Sequence, residues 1–174
     1  MSGDTASSRT IFSNIVLLMA DIWSGKRQGV LWSKVGPYKL FARDLQNLAP
    51  GRELESEVLN AFIHVIIQKL QQESLKRFYL VDSFAMTALW HGSCRGLKKV
   101  DPMAYNVLLG PVCDNRHWTL VVLYPKERRA VYIDPLGETP DHIIKCRDVT
   151  RLKIVRSRIG FRCLCLVCLC VFHT

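Results

Sequence analysis

Residues 117–134 read His-Trp-Thr-Leu-Val-Val-Leu-Tyr-Pro-Lys-Glu-Arg-Arg-Ala-Val-Tyr-Ile-Asp. Two runs rich in β-branched and aromatic residues, Trp118 to Tyr124 and Ala130 to Asp134, flank a charged turn, and that pattern predicts a hairpin. Both faces of the first run are apolar, with Trp118, Leu120 and Val122 against Val121 and Leu123. A central strand covered on both sides looks like that. If the loop is Tyr124-Pro125-Lys126-Glu127, Leu123 faces Arg128, Trp118 faces Ile133 and His117 faces Asp134. Opposed residues have Cβ atoms about 5 Å apart, so an imidazole and a carboxylate would share one end of a sheet. A slip of one residue would send one of them to the other face. An aspartate beside a histidine holds its tautomer and stabilises the imidazolium, which is what a general base needs. Spacing alone is a weak signal and favours a solvated pair at a strand end, since any hairpin can carry a His and an Asp at its open end.

Outward from the hairpin, Asn106 to Val112 predicts one more strand, which makes a β-meander. Upstream the period changes to that of helices. Leu54, Val58, Ala61, Phe62, Val65, Ile66 and Leu70 mark a long helix over Leu54 to Gln72. Asp82 or Ser83 caps a shorter one through Trp90, ended by Gly92. Phe78 to Val81 predicts a short strand, and Arg43 to Leu48 a single helical turn before Pro50-Gly51. Val30 to Phe41 reads as irregular or a short strand broken at Gly36-Pro37. Ile11, Ile15, Leu18 and Ile22 predict a helix over Arg9 to Trp23, preceded by eight small, polar residues expected to be disordered. Helices first and a meander after them give an α+β fold.

The formal charge of +9 suggests nucleic-acid binding, but its location argues against it. Lys145, Arg147, Arg151, Lys153, Arg156, Arg158 and Arg162 face the single acid Asp148; without those eight the chain keeps 17 basic and 14 acidic residues, a net of +3. The seven cysteines do not form a disulfide framework, because four of them (Cys163, Cys165, Cys168, Cys170) crowd the last dozen residues. A reduced, intracellular protein of nucleus or cytoplasm is expected. No secretory signal is read at the N-terminus and no apolar run approaches the roughly 18 residues of a membrane span, so no membrane partner is expected.

Gly110-Pro111-Val112, His117-Trp118-Thr119-Leu120-Val121-Val122 and Val131-Tyr132-Ile133-Asp134-Pro135-Leu136 resemble the catalytic-histidine block of the ubiquitin-like-protein (SUMO, or sentrin) cysteine proteases. Asp44, Leu45 and Leu48, then Pro50-Gly51 and the long helix, are similar to that family's opening segment. The resemblance implies a thiol peptidase fold with N-terminal helices around a central sheet. It implies His117 as base, Asp134 as its orienting acid, and Trp118 as a wall of the tunnel that grips a modifier's Gly-Gly tail. The implied partner is a ubiquitin-like modifier or its conjugates; no cofactor and no metal are implied.

Three departures accompany it. Pro135 replaces the usual serine. Glu53-Leu54-Glu55-Ser56 stands where the family's long helix begins Trp-Leu-Asn-Asp, which points to a divergent member of the transposon-borne or adenoviral kind. No glutamine follows Gln72 and no cysteine precedes a glycine, so the oxyanion Gln and the nucleophile are not identifiable. The domains expected are an extension over 1–37, a partial catalytic domain over 38–150 and an atypical basic, Cys/Leu-rich tail over 151–174, with the nucleophile-bearing helix missing. A catalytically dead module that binds a modifier is the alternative. Cys170 as nucleophile and a soft metal on the tail cysteines are weaker alternatives. His64 is expected to be a packed or rim histidine, and His91, His142 and His173 unpartnered surface residues.

Overall fold

The computed structural model describes residues 4–26, 29–93, 100–137, 140–142, 144–146 and 162–165, with side chains undescribed in 4–12 and 162–165. The chain divides into two compact units, Met1–Ala61 and Phe62–Thr174.

In the first unit α1 (Asp4–Trp23) starts earlier than the apolar period predicts. Small polar residues are weak helix formers but not breakers, so a helix nucleated downstream extends back through them. Gly36-Pro37 is the turn of an antiparallel hairpin, β1 (Leu31–Val35) with β2 (Tyr38–Phe41). The short α2 (Ala42–Gln46) follows, its entry held by the Phe41 N–H donating to Asp44 Oδ2 at 2.7 Å. Leu40, Val58 and Ala61 form a small core flanked by Val35, Tyr38, Leu45 and Leu54. The long helix α3 (Ser56–Glu73) supplies Val58 and Ala61 and runs on into the second unit.

The second unit is built on a mixed five-stranded sheet in the order β3-β4-β5-β6-β7. β4 (Val107–Asp114), β5 (His117–Tyr124) and β6 (Arg129–Ile133) are the antiparallel meander; β3 (Phe78–Leu80) joins one edge in parallel and β7 (Arg162–Cys165) the other. Part of the expected atypical tail is therefore a strand of the sheet, while 166–174 lies outside the described residues.

Period-2 alternation divides the sheet into two faces. Leu108, Val112, Val121, Leu123, Ala130 and Tyr132 pack on one side with Met86, Leu89, Trp90 and Cys146. Val107, Val122 and Val131 pack on the other with Leu120 and Ile133. α4 (Ser83–Trp90) covers the first face, capped at its start by Asp82 accepting from the Ala85 N–H at 2.9 Å. It approaches β4 so closely that a Cβ on Gly110 would lie 2.5 Å from Cγ and Sδ of the buried Met86. Each aliphatic side chain buried here stabilises by roughly 1.5–3 kcal/mol, far more than any surface ion pair. Packing therefore sets which face each strand presents.

The hairpin register differs from the expected one by two residues. Tyr124 pairs with Arg129 and Leu120 with Ile133, so the loop is Pro125 to Arg128. Tyr124 stays in the strand, where its ring takes the Arg129 guanidinium at 3.7 Å, and Arg128 absorbs the turn at φ +52°. A shift of two preserves parity, so every side chain keeps its expected face.

Candidate active site

The turn before β5 places the histidine. Asp114 pairs with His117 across a two-residue loop, Asn115-Arg116, with both φ values positive at 51° and 63°. That is the type I′ signature, whose twist suits a tight hairpin. It makes His117 the first residue of β5, on the face that carries Thr119, Val121 and Leu123. Asp134 follows the last residue of β6 on the same face, two positions after Tyr132. In the observed register His117 and Asp134 are diagonal rather than opposed. An imidazole is long enough to cover the difference: His117 Nε2 lies 2.7 Å from Asp134 Oδ1.

The carboxylate is fixed at both oxygens. Oδ1 also accepts the Leu136 N–H at 2.9 Å, an Asx-type turn through Pro135, and Oδ2 accepts the Tyr132 hydroxyl at 3.2 Å. His142 Nδ1 stands 3.6 Å from Oδ2 and 3.2 Å from the Tyr132 hydroxyl. The Asp134 side chain is only 3% exposed. Burial pushes its carboxyl upward, but the Leu136 amide and the His117 ring outweigh that and hold it below the ordinary carboxylate range. Burial, with the Asp134 charge beside it, pushes the Tyr132 phenol up to about 12. The buried Thr119 hydroxyl lies near that phenol without forming a well-made bond to it.

A second carboxylate lies across β5. Asp114 Oδ2 accepts from Trp90 Nε1 and from Lys145 Nζ, each at 3.0 Å, and Oδ1 is 3.6 Å from His91 Nε2. Burial raises the Asp114 carboxyl; the Lys145 and Trp90 bonds more than offset it, so the net shift is downward. Trp90 stacks on Tyr132 with centroids 5.5 Å apart and planes 9° apart. A cavity of about 210 Å³ lies between the two carboxylate clusters, lined by Trp90, Asp114, His117, Thr119, Tyr132 and His142 among others.

Because a carboxylate only accepts, the 2.7 Å contact puts the His117 proton on Nε2. Nδ1 then carries the lone pair and can take a proton from a nucleophile. Two cysteines have described side chains, and neither supplies that nucleophile. Cys113 pairs with Trp118, on the opposite face from His117. Cys146 is buried in the core. Cys94 and the side chains of the tail cysteines lie outside the described residues, and so do the readings of Cys170 as nucleophile and of a metal there. Among the described residues no group of three or more His, Cys, Asp or Glu could hold a metal ion, and no helix is long and apolar enough to cross a membrane.

Of the residues singled out in the sequence, His117 and Asp134 are brought together. Trp118 is half-buried on the other face of β5. His64 is half-buried on α3. Contrary to expectation, His142 and His91 have partners, since each sits at an aspartate; His173 lies outside the described residues. Sequence reasoning missed Tyr132, although its place two residues before Asp134 put it on the same face. Trp90 and Lys145 reach Asp114 from 24 and 31 residues away in the chain, and His142 reaches Tyr132 from a separate segment ten residues on, contacts that strand periodicity does not register.

No family model matches the chain. Over 99 residues it is 22% identical to sentrin-specific protease 2 of Homo sapiens and of Pongo abelii, a match covering 55% of this chain and 17% of each relative's length. The structure is similar to the C-terminal Ulp1 protease domain solved in complex with SMT3, the yeast orthologue of SUMO, at TM-score 0.66 and 18% identity over 86% of this chain and 71% of that one. It is also similar to the catalytic domain of the Chaetomium thermophilum Ulp1-like SUMO protease, at TM-score 0.62 and 17% identity over 84% of this chain and 66% of that one. The chain carries the fold of the Ulp1-type SUMO protease domain.

Proposed function

We propose that this domain acts on ubiquitin-like modifiers as a thiol peptidase or isopeptidase, with His117 as general base and Asp134 as the group that orients it. The observation that carries this reading is the 2.7 Å bond from His117 Nε2 to a buried Asp134, bonded at both oxygens, on a SUMO-protease fold. Such a bond leaves Nδ1 free of the carboxylate to deprotonate a thiol, and it stabilises the imidazolium that results. Trp118, the residue after the base though on the other face of β5, would help wall the channel for a glycine-rich tail, as the resemblance implies. Glycines offer no side chain to hold, so selection has to come from walls that exclude anything larger.

A second reading is a module that binds a modifier without cleaving it. It is favoured by the placement of the two described thiols, since neither Cys113 nor Cys146 is offered to His117. A SUMO probe carrying a C-terminal propargyl group separates the readings. Covalent labelling that disappears in His117→Ala is the result expected of the enzyme. Reversible binding without labelling would establish the module. Neither binding nor labelling would overturn both.

A further inference from the structure

Asp134 has a second histidine, and the hydroxyl between them has one proton to give. The Tyr132 oxygen is 3.2 Å from Asp134 Oδ2 and 3.2 Å from His142 Nδ1. We infer that Tyr132 and His142 are positioning residues for the catalytic pair, joined in a one-way chain of donors from His142 Nδ1–H to the Tyr132 hydroxyl and from that hydroxyl to Asp134. Of the two acceptors open to the phenol, the carboxylate is the stronger, because charge-assisted hydrogen bonds are roughly twice as strong as neutral ones. With its proton committed to Asp134, the phenol oxygen faces His142 with lone pairs only. A bare Nδ1 at that distance would set lone pair against lone pair, so Nδ1 carries the ring's proton. The phenol, pushed up to about 12 by burial and the Asp134 charge, remains a donor throughout the neutral range.

The consequence is opposite tautomers on one carboxylate: His117 protonated on Nε2, His142 on Nδ1. The chain clamps Oδ2 and stops the carboxylate from rotating, and this keeps Oδ1 on His117. Trp90 holds the phenol ring from behind by stacking. His142 comes from the helical segment at 140–142 and 144–146, whose Lys145 is tied to Asp114 at 3.0 Å. That tie sets the segment's position independently of Asp134. The inference rests on the reading of His117 as base, but its test does not depend on catalysis.

The test is long-range ¹H–¹⁵N NMR of the histidine rings of the full chain at about pH 9, above the ordinary histidine range. His142 is expected as the Nδ1–H tautomer and His117 as Nε2–H, with a slowly exchanging, downfield Nε2 proton that Asp134→Asn abolishes. Tyr132→Phe keeps the ring on Trp90 but removes the link. It is expected to turn His142 to the Nε2–H form and to broaden the His117 proton. His142→Ala is expected to broaden it too, whereas His142→Asn, whose amide nitrogen falls near Nδ1, keeps it sharp. The Trp90 indole proton, bonded to Asp114, reports folding in each variant; if His142→Ala fails to fold, Tyr132→Phe decides alone. His142 as Nε2–H in the unaltered chain, or an unchanged His117 proton in Tyr132→Phe, would overturn the donor chain. An intact chain of donors with no probe labelling would refute only the enzyme reading, and labelling with the wrong His142 tautomer only this inference.

Discussion

Asp114 and Asp134 flank the start of β5 on one face of one sheet, and each collects three neighbouring side chains, yet their surroundings suit different work. Asp114 is held by an ammonium and an indole, with the His91 imidazole beyond bonding distance at 3.6 Å, and its side chain is 25% exposed. Asp134 is held by an imidazole, a phenol and a backbone amide, with His142 beyond, and is 3% exposed. A charged lysine and an indole are donors only. They anchor a carboxylate but have nothing with which to receive a proton. An imidazole held by one nitrogen still presents the other. Two similar ion clusters therefore divide into an anchor, which ties α4 and Lys145 to β4, and a pair suited to proton transfer.

That contrast can be broken by substitution. The largest effect is expected from Asp134→Ala, which takes the carboxylate acceptor from the buried Tyr132 hydroxyl and a part-buried bond from the Leu136 amide. An unmet buried donor costs about 1–3 kcal/mol, so a loss of about 2 kcal/mol in a urea titration is expected. Lowering the pH should attack both clusters together. Each carboxyl titrates below its unfolded value, Asp134 through the Leu136 amide and His117, Asp114 through Lys145 and Trp90, both against the pull of burial. Each therefore adds stability that is whole above the unfolded carboxylate value, about 3.9, and is lost as pH falls through the lower folded value. A flatter acid limb is expected in Asp134→Asn and in Asp114→Asn, seen in thermal unfolding between about pH 2 and 6. Unaltered acid limbs in both would remove the electrostatic half of the comparison.

Asp114→Asn should cost about 1 kcal/mol at neutral pH, the scale of one partly exposed charged bond. Its sharper prediction is that the His117 Nε2 proton does not move, because Asp114 anchors rather than orients. A His117 shift as large as that of Asp134→Asn would merge the two sites into one. The smallest effect is expected from His91→Gln. His91 is half exposed and 3.6 Å from its carboxylate, so a change within about 0.5 kcal/mol is expected from denaturant midpoints.

Much of this unit was legible in local pattern. The three meander strands, the Asp82 cap of α4 and the long helix follow from residues close together in the chain, where period and propensity operate. The loop position was not legible. Four-residue loops starting at Tyr124 and at Pro125 satisfy the same alternation, and the choice rests on the Tyr124–Arg129 stacking that only the folded hairpin makes. The type I′ turn was hidden as well, since Arg116 stands where glycine is usual.

By itself, the sequence determined parity. Period-2 geometry sets His117 with Thr119 and Tyr132 with Asp134, a loop of four residues sets both pairs on one face, and no even shift of register can undo that. Tertiary structure alone decided which groups complete the site. Trp90 comes from α4, Asp114 from the far side of β5, and His142 and Lys145 from beyond the turn after Asp134. They meet because a sheet face must bury its apolar side chains against something, and the segments that cover it bring their polar ends along. Periodicity reports which way a side chain points. It carries no information on what another segment, tens of residues away, will set against it.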